Sequence, residues 1–207
     1  VGQRFLENRR PSLEAQLANM ADEIAYNNHD VDDGLRSGLL SVKQLMDVGL
    51  FARFWKEVHL AMPDITERRA IHETIRRMIS ALICDLTQTS MARIRDADPR
   101  SVDDVRDAEP LIAFSDVMAS ESGILKQFLF EHLYRHHQVN RMTSKARRIV
   151  RKLFSIFMEE PQLLAPEYRS ASRDEYEQAR KIADYIAGMT DRYAMRQYRL
   201  LFEIEGV

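Results

Sequence analysis

The stretch LANMADEIAYNNHDVDDGL, residues 17–35, holds three side chains whose types and spacing could do chemistry together: Asp22, Tyr26 and Asp30. On a helix they fall at i, i+4 and i+8, so two carboxylates and a phenol project from one side while Leu17, Met20 and Ile24 form the apolar stripe. Two carboxylates and a phenol lining one wall make a site-like arrangement, since a carboxylate is a hard oxygen ligand for a cation and a hydrogen-bond acceptor for a polar ligand. By spacing alone, the same residues also fit an ordinary solvated helix face.

Those residues need helices to carry them, and the composition supplies little else. Seven Gly and six Pro in 207 residues, with abundant Leu, Met, Ala, Arg and Glu, predict an all-α chain of many helices. Ser12 is a good N-cap for a first helix over 12–29, which Gly34 and Gly38 would interrupt. Shorter helices are expected over 41–47 and 49–62, and a long one from an Asp64 cap to about Asp96, along the row Ile71, Ile75, Met78, Ile79, Leu82 and Leu86. The acidic stretch 101–109 reads as a loop or a short helix. Further helices are expected over 115–136, 143–158 and 172–202. The whole reads as one helical region, 1–207, with residues 1–97 bearing the candidate site and 98–207 forming a C-terminal part.

Lys+Arg 30 against Asp+Glu 32 leaves a formal charge of -2, so any anion-binding site must be local. The single cysteine, Cys84, excludes an internal disulfide; it suits a reducing cytoplasm and is expected in the core. No apolar run approaches the roughly 20 residues that cross a bilayer, so no membrane partner is expected. The opening Val-Gly-Gln-Arg-Phe has neither an initiator Met nor the pattern of a signal peptide, and reads as the start of a piece of a longer protein.

The run ADEIAYNNHDVDDGL resembles the segment that marks the deoxyguanosinetriphosphate triphosphohydrolase family, within the HD phosphohydrolase superfamily. IADYIAGMTDRYA (182–194) is similar to that family's C-terminal helix, and FEHLYRHHQV (130–139) is a third match. In that family a metal is held by an early His, an adjacent His-Asp pair and a distant Asp. The resemblance makes Asp22 the distant Asp, sets Tyr26 against the deoxyribose, and has Asp30 accept a hydrogen bond from the sugar 3'-hydroxyl. His29-Asp30, though it spells the same pair, would then lie beside the sugar and not on the metal.

The resemblance implies that the chain is the C-terminal portion of a metal-dependent enzyme converting dGTP or another dNTP to deoxynucleoside plus inorganic triphosphate. No catalytic residue is assigned within the chain, because three protein ligands are the usual minimum for such a metal and only Asp22 is expected here. The chain alone is therefore expected to be inactive. Magnesium or manganese is the expected cation, with iron, nickel, cobalt or zinc admitted by histidine-rich partners. A homo-oligomer is also implied.

Arg68 and His72, four apart and followed by Arg76 and Arg77, could grip phosphate oxygens, and resemble a phosphate-contacting pair of related triphosphohydrolases. They fit a solvated helix face equally well. Arg141, Lys145, Arg147, Arg148, Arg151 and Lys152 form the densest basic stretch, where single-stranded nucleic acid, or a nucleotide at a subunit boundary, could bind; with Ile149, Leu153, Phe154 and Phe157 it fits the solvated face of an amphipathic helix as well. His132 and His136 could join a metal only with a carboxylate, and surface or core roles are expected for them. Phe51, Phe54 and Trp55 are expected in the core, and Gly188 inside a helix, permitting close packing. The alternative to the enzyme is a non-catalytic helical module for oligomerisation or nucleic-acid binding.

Overall fold

The computed structural model describes residues 9–169 and 174–203, and every regular element among them is helical. The chain divides into two compact units, residues 1–136 and 137–207.

In the first unit, α1 (Leu13–Ser37) starts from Ser12, whose Oγ accepts from the Ala15 N–H at 3.5 Å. It does not stop at His29. Gly34 is buried within it, and a Cβ there would sit 2.5 Å from Cδ1 and 2.8 Å from Cγ of the buried Leu40. The glycine therefore serves close packing and not interruption. The helix ends at Gly38, whose φ of 73° is the left-handed conformation glycine adopts without penalty. Because the helix runs on, Asp30, Asp32 and Arg36 are all held on its rigid frame.

A single turn, α2 (Val42–Leu45), follows in a capping box formed by Ser41 and Gln44. Then come α3 (Gly49–Ala61) and the long α4 (Glu67–Ala97). Asp64 is not the cap of α4: Met62 to Ile65 closes a turn first, with Ile65 N–H donating to Met62 O at 3.1 Å, and Thr66 takes the N-cap position. α5 (Val102–Asp107) resolves the acidic stretch as a short helix capped by Ser101. α6 (Asp116–Leu129) leads into a π-helical turn, Phe130–Tyr134.

The core of this unit is built from Val31, Leu45, Leu50, Phe51, Met78, Leu82, Leu125 and Leu129, with Phe54 and Trp55 packed partly buried against it. Cys84, expected inside, is exposed: two residues past Leu82, it turns away from the α4 stripe that faces the core.

Residues beyond 97 stay with the first unit because side chains fasten them there. Gln16, buried on α1, accepts from the Leu111 and Ile112 N–H groups at 3.1 and 3.2 Å. On α4, Asp85 accepts from the Ser115 N–H and hydroxyl at 2.9 and 2.7 Å, Ser90 accepts from Ala113 N–H, and Arg93 donates to Pro110 O. The units divide at 136/137, where the sequence suggested a line at 97/98 within a single region.

The second unit comprises α7 (His137–Glu159), two 3-10 turns at Pro161–Leu163 and Pro166–Tyr168, α8 (Glu175–Ala187) and α9 (Asp191–Phe202). Its own core is Ile149, Leu153, Phe157, Leu164 and Ile182. The single final helix expected over 172–202 is two: α8 stops at Gly188, and Thr190 caps α9 by accepting from the Tyr193 N–H at 3.3 Å. A Cβ at Gly188 would meet only ordinary contacts of 3.5 and 3.6 Å, so close packing does not demand that glycine. The expected start at Ser172 and the opening residues Val1 to Phe5 lie outside the described residues.

Candidate functional site

α1 packs its Ile24, Asn27, Asn28, Val31 and Gly34 side into the unit, which leaves the opposite side bare. At about 100° per residue, Tyr26 and Asp30 lie about 40° and 80° round the helix from Asp22, whereas Asp32 lies about 80° the other way. Asp22 and Tyr26 therefore form the crest of a ridge, with Asp30 on one flank and Asp32 on the other. Asp22 is exposed and its carboxylate has no partner among the described residues; Tyr26 is 63% exposed. Both Asp22 oxygens are free to bind a ligand.

On the first flank Asp30 is half-buried, and its Oδ2 accepts a hydrogen bond from the Tyr134 hydroxyl. The π-helical turn carries that tyrosine to α1, and such turns recur at functional sites. Burial, then the Asp30 carboxylate, push the Tyr134 hydroxyl from its ordinary value near 10 up to about 12. A carboxylate has room for several donors, so Asp30 Oδ1 remains open to a second hydroxyl.

On the other flank Asp32 accepts from Arg36 at 2.9 Å and lies 3.9 Å from His72 Nδ1. Arg68 and His72 stand on α4, where with Ile71, Leu35 and Arg36 they line a surface cleft. Arg76 and Arg77 do not extend this cationic face. Both donate to Glu73, at 2.7 and 3.0 Å, and those hydrogen bonds hold the Glu73 carboxyl down to about 2. Arg68, exposed and without a partner among the described residues, is the free guanidinium of the cleft. Round the helix axis, Asp22 and Tyr26 thus lie between the flank of the Asp30–Tyr134 pair and the flank of Asp32, which borders the Arg68/His72 cleft.

No group of three or more His, Cys, Asp or Glu that could hold a metal occurs among the described residues. Asp22 fits such an ion as one ligand, being an unengaged carboxylate in water. His132 is not a candidate ligand at Nδ1, which is 3.1 Å from Phe128 O while the ring stacks on Phe128 at 4.3 Å.

Residues 112–200 match the model of the phosphohydrolase-associated domain. The chain is 61% identical over 204 residues to a deoxyguanosinetriphosphate triphosphohydrolase-like protein of Bordetella pertussis, covering 99% of this chain and 53% of that protein. Relatives with the same description from Ralstonia nicotianae and Thiobacillus denitrificans are 57% and 50% identical, with 99% and 100% of this chain and 52% and 54% of theirs covered. The chain belongs to the deoxyguanosinetriphosphate triphosphohydrolase-like family. It spans about half the length of these relatives, as their C-terminal portion. The all-α fold expected of this family is the one observed, and no described helix is long and apolar enough to cross a membrane.

Sequence reasoning singled out the family segment 130–139 without picking Tyr134 from it. Nothing in the spacing could have done so, since Tyr134 and Asp30 are 104 residues apart. Their pairing makes a spectroscopic prediction: in an ultraviolet titration Tyr134 ionises near pH 12, and Asp30→Asn brings that ionisation down. The sign follows from the raised value, for the pairing supports the fold below the ordinary tyrosine range and is lost as pH rises through about 12. A Tyr134→Phe difference spectrum identical at every pH to that of an exposed tyrosine would contradict the pairing.

Proposed function

We propose that the full-length protein is a divalent-metal-dependent dNTP triphosphohydrolase, with dGTP its first candidate substrate, and that this chain supplies the sugar wall and one metal ligand. The observation that carries the proposal is the ridge: a free carboxylate and an exposed phenol on its crest with a tyrosine-held carboxylate on its flank, all on α1, in a chain 61% identical to a triphosphohydrolase-like protein.

A bound divalent cation supplies positive charge at the phosphates and an acidified water; magnesium or manganese suits the hard oxygen of Asp22, and iron, nickel, cobalt or zinc would suit added histidines. Within the chain, Asp22 would hold that ion through its carboxylate. Tyr26 packs its ring on the deoxyribose. Asp30, steadied by Tyr134, takes the 3'-hydroxyl on its remaining oxygen. Arg68 and His72 donate to phosphate oxygens from the α4 side, where Arg36 neutralises Asp32. One carboxylate does not complete a metal site, so the isolated chain is inactive in this reading. Cytoplasmic location and a homo-oligomer accompany the proposal.

The test is inorganic triphosphate release from each of the four dNTPs with magnesium or manganese, from this chain and from the full-length protein that carries it. Release from the longer protein alone supports the proposal. Release from neither favours a non-catalytic helical module, and release from this chain alone contradicts the partial metal site.

A further inference from the structure

The segment IADYIAGMTDRYA, residues 182–194, carries none of the functions proposed above, yet six of its residues line one recess of about 570 Å³ in the second unit. Three tyrosines meet there, Tyr168, Tyr185 and Tyr193, with two carboxylates, Glu167 and Asp184. Among the described residues no Lys, Arg or His lines it. The last turn of α8 supplies Asp184 and Tyr185, the first turn of α9 supplies Tyr193, and the 3-10 turn Pro166–Tyr168 brings Glu167 and Tyr168 to them. That turn is fastened in place. Arg169 donates from Nε to Leu164 O at 2.7 Å and from Nη2 to Gln162 O at 2.8 Å, and Lys181 of α8 donates to Arg169 O at 3.3 Å. The Tyr168 and Tyr185 rings lie 4.3 Å apart, the Tyr185 ring meets the buried Phe157 edge-on at 5.8 Å, and the Tyr185 and Tyr193 hydroxyls are 3.1 Å apart.

The electrostatic features of this recess share one sign. Aromatic faces are negative, and Tyr168 and Tyr193 are 41% and 40% exposed, so their rings are open to a ligand. Glu167 is exposed and engaged by no described residue. Asp184 pairs with Arg180 alone, at 3.1 Å. The last turn of α8 holds no basic side chain, although the free carbonyls of a helix C-terminus favour a cation. The positive end of α9 is already answered, by the Thr190 cap and by Asp191 in its first turn. Burial, then the Tyr193 hydroxyl, then the neighbouring Tyr168 and Glu167 hold the Tyr185 hydroxyl above its ordinary value, so the ring stays protonated. Elsewhere in this unit such rings have a cation of their own: the Lys152 ammonium lies over Tyr198 and Phe202 at 5.7 and 5.1 Å.

We propose that this recess binds an organic cation, a guanidinium or alkylammonium group, on the Tyr168 and Tyr193 rings with Glu167 as its counter-ion. A hard metal ion fits poorly, because it needs several oxygen ligands and no group of three His, Cys, Asp or Glu occurs among the described residues. An organic cation is weakly hydrated and takes ring faces in place of ligands. The cation can belong to a small molecule such as a polyamine or to a side chain of a second copy of this chain. The recess goes beyond the triphosphohydrolase reading, and either can fail without the other.

The experiment is a nuclear magnetic resonance titration of the whole chain, carbon-13 labelled at tyrosine, with tetramethylammonium and with the neutral, similarly shaped tert-butanol. Tetramethylammonium should shift the Tyr168 and Tyr193 ring signals saturably, with a dissociation constant on the order of 1 mM, and tert-butanol should not. Tyr168→Leu with Tyr193→Leu should weaken binding at least about tenfold, with circular dichroism unchanged because both side chains are exposed. Glu167→Gln should weaken it by about threefold. Tyr193→Phe, which keeps the ring, and Tyr176→Leu, 75% exposed and outside the recess, should each stay within about twofold of the parent. Equal shifts with tert-butanol, no saturable shift up to about 50 mM, or parental affinity in the double variant would each overturn the proposal. Two further results support it and separate the sources. Spermidine binding at least about tenfold tighter than tetramethylammonium assigns the recess to a free polyamine, and self-association that tetramethylammonium competes away assigns it to a side chain of a second copy.

Discussion

Asp22→Ala in the full-length protein is expected to remove metal binding and triphosphate release together. Asp22 is the crest of the α1 ridge and its carboxylate is engaged by nothing else among the described residues, so its loss leaves no other α1 carboxylate in the same place. Altering a group that merely supports a metal ligand costs about 10–100-fold in affinity; deleting the ligand itself should cost at least about 100-fold, or about 2.7 kcal/mol. Calorimetric titration with manganese measures the first effect, and triphosphate release the second. Because Asp22 is exposed and makes no contact that the fold depends on, thermal stability without metal should hardly change. Tyr26→Ala separates the roles: its metal affinity should match the parent while nucleotide binding weakens. An Asp22→Ala protein that binds manganese normally and turns over fully would remove Asp22 from the site.

The largest expected loss of stability comes from Phe51→Ala. Phe51 is wholly buried on α3, in the core shared with α1, α4 and α6, and stacks on Trp55 with ring centroids 5.7 Å apart. Truncation removes the transfer energy of the ring and leaves a void that a helical core only partly closes, about 3–5 kcal/mol in all. Trp55 is the single tryptophan, so its fluorescence reports directly on this core. With a urea dependence of about 1–3 kcal/mol/M, the unfolding midpoint should fall by more than about 1 M. A loss below about 1 kcal/mol would mean that the core does not close around Phe51.

The reach of the sequence can be judged residue by residue. Ser12, the α4 stripe from Ile75 to Leu86 and the α3 aromatics were legible because capping and amphipathic period are local signals. Glycine was not. Gly34 and Gly188 are the same residue type in helical surroundings, yet one sits inside a helix under Leu40 and the other ends a helix; the difference lies in what packs on each, which periodicity does not encode. Cys84 was misplaced for a related reason, since its type favours burial while its register on α4 decides otherwise. At the site, the alignment of Asp22, Tyr26 and Asp30 on one helix could be read from spacing. The flanks could not, because Tyr134 and His72 reach α1 only through tertiary packing.

Gln16 has a consequence for the order in which the chain assembles. Its amide is the knot between the first turn of α1 and Leu111, 95 residues downstream, and Arg10 N–H reaches Arg106 O in the same region. α1 can coil early on its own propensity and cap, but closing so long a loop carries an entropic cost that only later contacts offset. During synthesis the beginning of α1 stays unfastened until the α5–α6 segment has emerged, so its first turn is locked only after about 95 further residues have been made.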